Sequence, residues 1–227
     1  MEMKKFILCA LSFFCALTAS AQDQTENPER KHLIGLQLGN AFVNGDFNAS
    51  AFEDDYPAFA RNGLLLTGVY RYSMSRYVAA GTSVAYRHNR FGMDAFVQPD
   101  DELVTAKNSE AWRSVFTMAD VYFTVPVQEV GEVYLAGSAG AAFNRSASWQ
   151  IQTVHGEVRM PSDQATALAL GWGSGININV YPLVINAEAR LLYTKPEFTV
   201  LNALGTPFQH SQSMNTFNIS LGAFYRF

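Results

Sequence analysis

The sequence "QATALALGWGSGININVY", residues 164–181, alternates with a period of two, and that period constrains the fold more than any other feature of the chain. Leu168, Leu170, Trp172, Ser174, Ile176, Ile178 and Val180 fall on one parity. Ala167, Ala169, Gly171, Gly173, Gly175, Asn177 and Asn179 fall on the other. Successive side chains of an extended strand point to opposite faces, so one face here is large and apolar and the other small and polar. The next segment repeats the pattern. Leu183, Ile185, Ala187, Ala189, Leu191 and Tyr193 oppose Val184, Asn186, Glu188, Arg190 and Leu192. At the end of the sequence, Phe217, Ile219, Leu221, Ala223, Tyr225 and Phe227 oppose Asn218, Ser220, Gly222, Phe224 and Arg226.

Five earlier stretches follow the same rule. They centre on Ile34–Leu38, Leu64–Tyr72, Val78–Tyr86, Val115–Phe123 and Val133–Phe143, which makes eight strands in all. Helical spacing fits none of them as well. The links between them alternate strictly between long and short. A polar link of about 20 residues, "NGDFNASAFEDDYPAFARN", is followed by "MSR"; later short links are "PVQEVG" and "YP". All long links therefore emerge at one end of the structure. Structureless links of that length are uncommon in compact soluble domains, but are expected on the outer side of a membrane-spanning β-barrel.

The apolar face could meet lipid or a soluble core. Turning it inward would leave a Gly/Ala/Asn surface of little charge facing water. The aromatics on that face also cluster at strand ends. Phe42, Tyr86, Phe143, Tyr193 and Phe217 fall at the long-link end; Tyr72, Phe123, Tyr225 and Phe227 fall at the short-link end. Two aromatic girdles at bilayer interfaces account for that placement. Strands of about 11 residues, tilted near 45°, match the apolar thickness.

The N-terminal segment "MEMKKFILCALSFFCALTASAQ" has Lys4 and Lys5, an apolar run from Phe6 to Leu17, and Ala19-Ser20-Ala21. This layout predicts a secretory signal peptide over 1–21, cut before Gln22. Residues 22–31 are expected as a flexible lead-in and 32–227 as the barrel. Cys9 and Cys15, the two cysteines of the chain, lie in the leader. The mature chain then has no disulfide, thiolate nucleophile or Cys-ligated metal. Without Glu2, Lys4 and Lys5 it carries 14 basic and 19 acidic residues, a balance that argues against a nucleic-acid partner.

These features resemble the small outer-membrane β-barrels of Gram-negative bacteria, of the OmpA-transmembrane and OmpX type. The resemblance spans essentially all of the mature chain and rests on the eight strands, the alternating links and the terminal aromatic of "LGAFYRF". It implies an all-β fold: an eight-stranded antiparallel up-and-down transmembrane barrel in the outer membrane. It also implies that Tyr225 and Phe227 mark the strand recognised by the barrel-assembly machinery.

On the inward parity lie Arg71, Arg87, Asp120, Glu188, Arg190 and Arg226. In a narrow lumen these charges must pair or be hydrated, and sharing of the two acids among the four arginines is expected. Phe116, Met118, Tyr122, Tyr134 and Phe224 share the parity and narrow the lumen further. A mostly plugged barrel with a structural or surface-interaction role follows; a small gated pore and a lipid-modifying enzyme are the alternatives. His32, His88, His155 and His210 have no serine and acid at same-face spacing, so no catalytic residue, metal site or cofactor is expected. The long loops, with Glu53, Asp54 and Asp55 beside Phe47, Phe52, Tyr56 and Phe59, and Asp100, Asp101 and Glu102 beside Phe91, Phe96 and Val97, are the place for an extracellular ligand.

Overall fold

A computed structural model describes residues 31–51, 56–97, 102–127, 130–201 and 205–227. The expected signal peptide and all but Lys31 of the lead-in lie outside the described residues. So do Phe52, the acids at 53–55, and Asp100 and Asp101. Among the described residues, thirteen strands follow in chain order: β1 (His32–Asn44), β2 (Ala60–Ser73), β3 (Val78–Phe91), β4 (Val104–Ser109), β5 (Trp112–Val127), β6 (Gly131–Arg145), β7 (Trp149–Thr153), β8 (Gly156–Met160), β9 (Gln164–Val180), β10 (Leu183–Thr194), β11 (Glu197–Leu201), β12 (Pro207–Ser211) and β13 (Asn215–Arg226).

Eight of these close a barrel in the order β1-β2-β3-β5-β6-β9-β10-β13, with every neighbouring pair antiparallel. Closure leaves no edge strand in the ring, which is what lipid demands of a spanning sheet. The closing seam joins β1 to β13 from Leu33↔Arg226 to Asn44↔Asn215. It is completed by reciprocal 3.0 Å backbone hydrogen bonds between His32 and Phe227. The outward parity is exposed as its composition requires, with Leu36, Leu38, Leu168, Trp172 and Leu221 each above 60% accessible. The residues of both aromatic girdles are exposed as well.

The long links depart from the structureless loops expected of them. β4, β7 and β8 form a three-stranded sheet that prolongs β5, β6 and β9 past the barrel. Glu110 N–H donates to Ser148 O at 2.8 Å, and Ser146 N–H to Asp163 O at 2.9 Å, across the breaks. β11 and β12 prolong β10 and β13 as a hairpin, joined by Gln212 N–H to Pro196 O and Met214 N–H to Thr194 O, both 2.9 Å. An antiparallel ladder continues until something interrupts it, and Pro161 and Pro196, which lack the N–H, sit at two of these interruptions.

The lumen is a packed core rather than a channel. Near the short-turn end Leu33, Val69, Val184 and Phe224 cluster. Ala79, Tyr122, Tyr134 and Ala136 form a second apolar group, and Leu65, Ala85, Phe116, Met118 and Leu192 belong to a third. Toward the long-loop end Phe47, Ala58, Trp112, Phe198 and Met214 make an apolar cap. Glycine supplies the space for two of the large side chains. A Cβ on Gly35 would stand 1.9 Å from Phe224 Cδ1, and one on Gly175 would stand 2.4 Å from the Tyr134 hydroxyl.

Candidate functional site

Strand parity aims Arg71, Arg87, Asp120, Glu188 and Arg190 into the lumen, where all five are buried. Arg190 links the two acids: Nη1 lies 3.1 Å from Asp120 Oδ1, and Nε lies 2.7 Å from Glu188 Oε1, though off the line of its N–H. Nη2 donates to Glu188 Oε2 at 3.1 Å, and Ser138 Oγ donates to Asp120 Oδ1. The Tyr134 hydroxyl donates to Glu188 Oε2 at 2.7 Å and accepts from Asn186 Nδ2 at 2.9 Å. Gln37 Nε2 donates to Asn186 Oδ1 at 2.6 Å, which extends the network to β1.

The expectation that four arginines share these two acids is corrected on three counts, since among the described residues only Arg190 pairs with them. Arg71 pairs with Glu132, at 2.7 Å from Nη2 to Oε1, and its guanidinium sits 5.0 Å from the Tyr122 ring centre. Glu132 is the second residue of β6, beside the short turn, where its inward aim was not assigned from the sequence. Its signal was available, since Glu132 shares parity with the inward Tyr134 and Ser138. Among the described residues, Arg87 meets no acid. It donates to Met214 O at 3.2 Å, Thr216 Oγ1 at 3.1 Å and Ser114 Oγ at 3.1 Å, between the rings of Phe116 and Phe47. Arg226, near the short-turn end, is half-buried and enters no ion pair among the described residues. Formal charges cancel between Arg71, Arg87 and Arg190 on one side and Asp120, Glu132 and Glu188 on the other.

Little space remains around this network. One cavity of about 10 Å³ lies among Arg71, Tyr122, Glu188 and Phe224, and another of about 10 Å³ among Phe116, Arg190 and Ser220. Each is the size that holds about one water. The lumen is filled by side chains that satisfy one another, as the narrow eight-stranded geometry favours.

Above the cap the long loops enclose a much larger space. A cleft of about 810 Å³ is lined by Phe59, Phe91, Phe96, Trp112, Trp149 and Phe198, with Arg159, His210 and Gln212 among the polar groups. Phe96 packs against Trp149 with ring centres 4.7 Å apart and edge-on against Phe59 at 5.0 Å. Trp112 roofs the lumen from the cleft floor, its Nε1–H bonded to Ala58 O at 3.1 Å, with Phe47 edge-on at 5.6 Å beneath it. Phe47 and Phe59, read from the sequence as loop residues beside acids, are instead buried. Tyr56 and Phe59 hold positive φ, 55° and 48°, a conformation that costs a non-glycine residue on the order of 1 kcal/mol or more.

The cleft also runs along strand edges. Glu157, Val158, Arg159 and Met160 of β8 all line it, as do Phe198, Thr199, Val200 and Leu201 of β11. Consecutive residues alternate faces, so such runs border a cleft only when it abuts the backbone edge. The β9–β10 ladder ends at Ala169↔Thr194, which leaves β8 and β11 as facing edges of the two extensions.

The histidines are dispersed. His32 Nδ1 contacts the Tyr70 hydroxyl at 2.8 Å at the barrel rim, while His88 faces outward on β3. His155 occupies the β7–β8 turn, and His210 lies against Tyr56 in the cleft wall. Among the described residues, no group of three or more His, Cys, Asp or Glu side chains has the arrangement of a metal site.

Three solved structures share this architecture. The attachment invasion locus protein Ail of Yersinia pestis superposes with a TM-score of 0.52 at 20% identity, covering 88% of this chain and 99% of that one. Neisserial surface protein A gives 0.51 at 12% identity, with 86% and 97% covered. OprG of Pseudomonas aeruginosa gives 0.50 at 8% identity, with 90% and 99% covered. At these identities the likeness is one of fold. No curated protein sequence matches the chain. The sequence pattern of the outer membrane protein beta-barrel domain matches residues 6–227. The chain belongs to that family, and it is an eight-stranded β-barrel protein of the bacterial outer membrane.

Proposed function

We propose that this barrel is a closed scaffold that presents a ligand-binding cleft at the cell surface. The observation that carries this reading is the position of the aromatic cleft of about 810 Å³ directly above a sealed lumen. Its size falls within the range of small-molecule sites, and its walls are aromatic with few polar groups, as such sites are built. The strained backbone at Tyr56 and Phe59 adds support, because strain that packing must hold in place concentrates at functional sites. The ligand class that fits is apolar or aromatic with a small polar end, which Glu157, Arg159 and His210 would meet.

The test uses the refolded barrel with an anilinonaphthalene sulfonate dye as the probe. Saturable dye fluorescence, weakened in Trp149→Ala and unchanged in a lumen variant such as Ser220→Ala, is expected. Equal dye binding by Trp149→Ala would overturn the reading. A small gated pore is the competing function, and the two internal cavities of about 10 Å³ count against it in this conformation.

Tyr225 and Phe227 carry a second proposed role as the mark read by the barrel-assembly machinery. Both rings are about half exposed on the lipid-facing parity of the seam strand and stack on each other at 6.0 Å, within reach of a partner before the barrel closes.

A further inference from the structure

Outward on three adjacent strands, a row of basic side chains crosses the barrel just above the loop-side aromatic girdle. His88 on β3 pairs with Arg113 on β5, and Arg113 pairs with Arg145 on β6. The row below, toward the membrane, is Tyr86, Val115 and Phe143, all exposed. Two residues along a strand is about 7 Å, so the basic row stands at headgroup height if the aromatics mark the interface. Arg90 stands one step further out on the same face of β3 and is exposed.

The pairing of Arg113 with Arg145 needs an explanation. Directly opposite residues have Cβ atoms about 5 Å apart, and like charges at that spacing repel. One counter-charge is present: Arg145 Nη2 reaches Glu110 at 3.2 Å across a half-exposed contact, and its Nε donates to Ser162. Arg113 and Arg90 have no ion pair among the described residues. Three guanidiniums and one carboxylate at the bilayer surface are a site for a multiply charged anion with several acceptor oxygens. Guanidinium forks match phosphate in that way.

We propose that Arg113 and Arg145, flanked by Arg90, bind a phosphate group carried by a lipid headgroup of the outer leaflet. The phosphate would lie between the two guanidiniums, accepting from both, while the acyl chains run down over Val115 and Phe143. The site would fix the depth and rotation of the barrel in the membrane, and it is separate from the loop cleft. A free phosphate in water has the same chemistry, so the lipid is distinguished by its added contact with the apolar rows below.

The experiment compares probes on the protein refolded in an uncharged maltoside detergent. Phosphatidic acid is added to the micelles, with diacylglycerol of the same acyl chains at the same mole fraction as one control and inorganic phosphate in the buffer as the other. Phosphatidic acid is expected to raise the thermal unfolding midpoint saturably. The Arg113→Gln/Arg145→Gln variant should weaken its apparent Kd about tenfold or more. Arg113→Lys/Arg145→Lys should recover part of it. If the double variant does not refold, Arg113→Gln alone decides, because that side chain has no ion pair among the described residues to lose; it should still weaken binding several-fold. Unchanged affinity in the glutamine variants overturns the site. Equal stabilisation by diacylglycerol, or by inorganic phosphate at equal concentration, overturns the assignment to a phosphate-bearing lipid.

Discussion

The Tyr134 hydroxyl on β6 reaches Glu188 on β10 at 2.7 Å by passing over Gly175 on the strand between them. A hydrogen bond between strands that are not neighbours is possible here only because the intervening position has no side chain. Gly175→Ala is therefore expected to destabilise the barrel by about 1–3 kcal/mol through overpacking. The new methyl would lie 2.4 Å from the hydroxyl and 2.7 Å from Ala187 O. Tyr134→Leu in the same chain should recover part of the loss, since it clears the first contact and not the second. Denaturant midpoints in detergent check both variants; a Gly175→Ala midpoint equal to the parent's would mean the lumen has slack there.

Glu188 matters for charge as well as for packing. Its carboxylate is buried and takes two contacts from Arg190 and one from Tyr134. Glu188→Ala leaves Arg190 with Asp120 alone, so a loss of about 3–5 kcal/mol is expected if the site is dry, and less if water enters. Equilibrium unfolding measures it.

Arg87 and Arg190 are both buried, and their replacement should differ in cost. Arg190→Met strands Asp120 and Glu188 together and should cost about 3–5 kcal/mol. Arg87→Met removes a cation that has no acid partner among the described residues and lies between Phe116 and Phe47. It leaves three acceptors without their donor, Met214 O and the hydroxyl oxygens of Ser114 and Thr216, of which Thr216 Oγ1 keeps the Asn218 amide at 3.3 Å, so a smaller cost of about 1–3 kcal/mol is expected. Equal losses for the two would show that Arg87 has an acid partner after all.

Two barriers lie in series along the axis, the apolar cap at Trp112 and the charged plug around Arg190. Trp112→Ala opens the cap alone. It should leave planar-bilayer recordings without a steady conductance while altering dye binding in the cleft. A stable ohmic step in that variant would identify the cap as the gate and favour the pore.

The sequence made legible what depends on parity, and obscured what depends on height along the axis. Each of Arg71, Arg87, Asp120, Glu188 and Arg190 could be sent inward because neighbours two residues away were small or polar on the same face. Which arginine meets which acid depends on how far each strand is shifted against the next, and period two carries no such information. Asp120 and Arg190 are 70 residues apart and meet through the registers of β5, β6, β9 and β10. Glu132 was passed over because it borders a short turn, where alternation had too few residues to read. The extensions β4, β7, β8, β11 and β12 were hidden for a related reason: short strands above the membrane have both faces wet or only partly covered, so their sequences lose the strong alternation that lipid imposes.

The Phe227 ring stacks on His32 across the seam at 5.4 Å and 15°. The backbone of the same two residues exchanges the final pair of hydrogen bonds that closes the barrel. Deleting Phe227 removes one ring from a half-exposed position and one end of the ladder, a small share of a seam that runs on from Arg226 to Asn215. Spontaneous folding into detergent should therefore survive nearly intact. Insertion in cells should fall, if Tyr225 and Phe227 are what the assembly machinery reads. Arg226→Ala should do the reverse, because its half-buried side chain lies on the lumen parity and not on the lipid face. Surface-exposed protein per cell, compared for the two variants against their folding yields in detergent, separates recognition from stability. Unchanged surface protein after loss of Phe227 would leave the ring with its seam contact to His32 as its whole role.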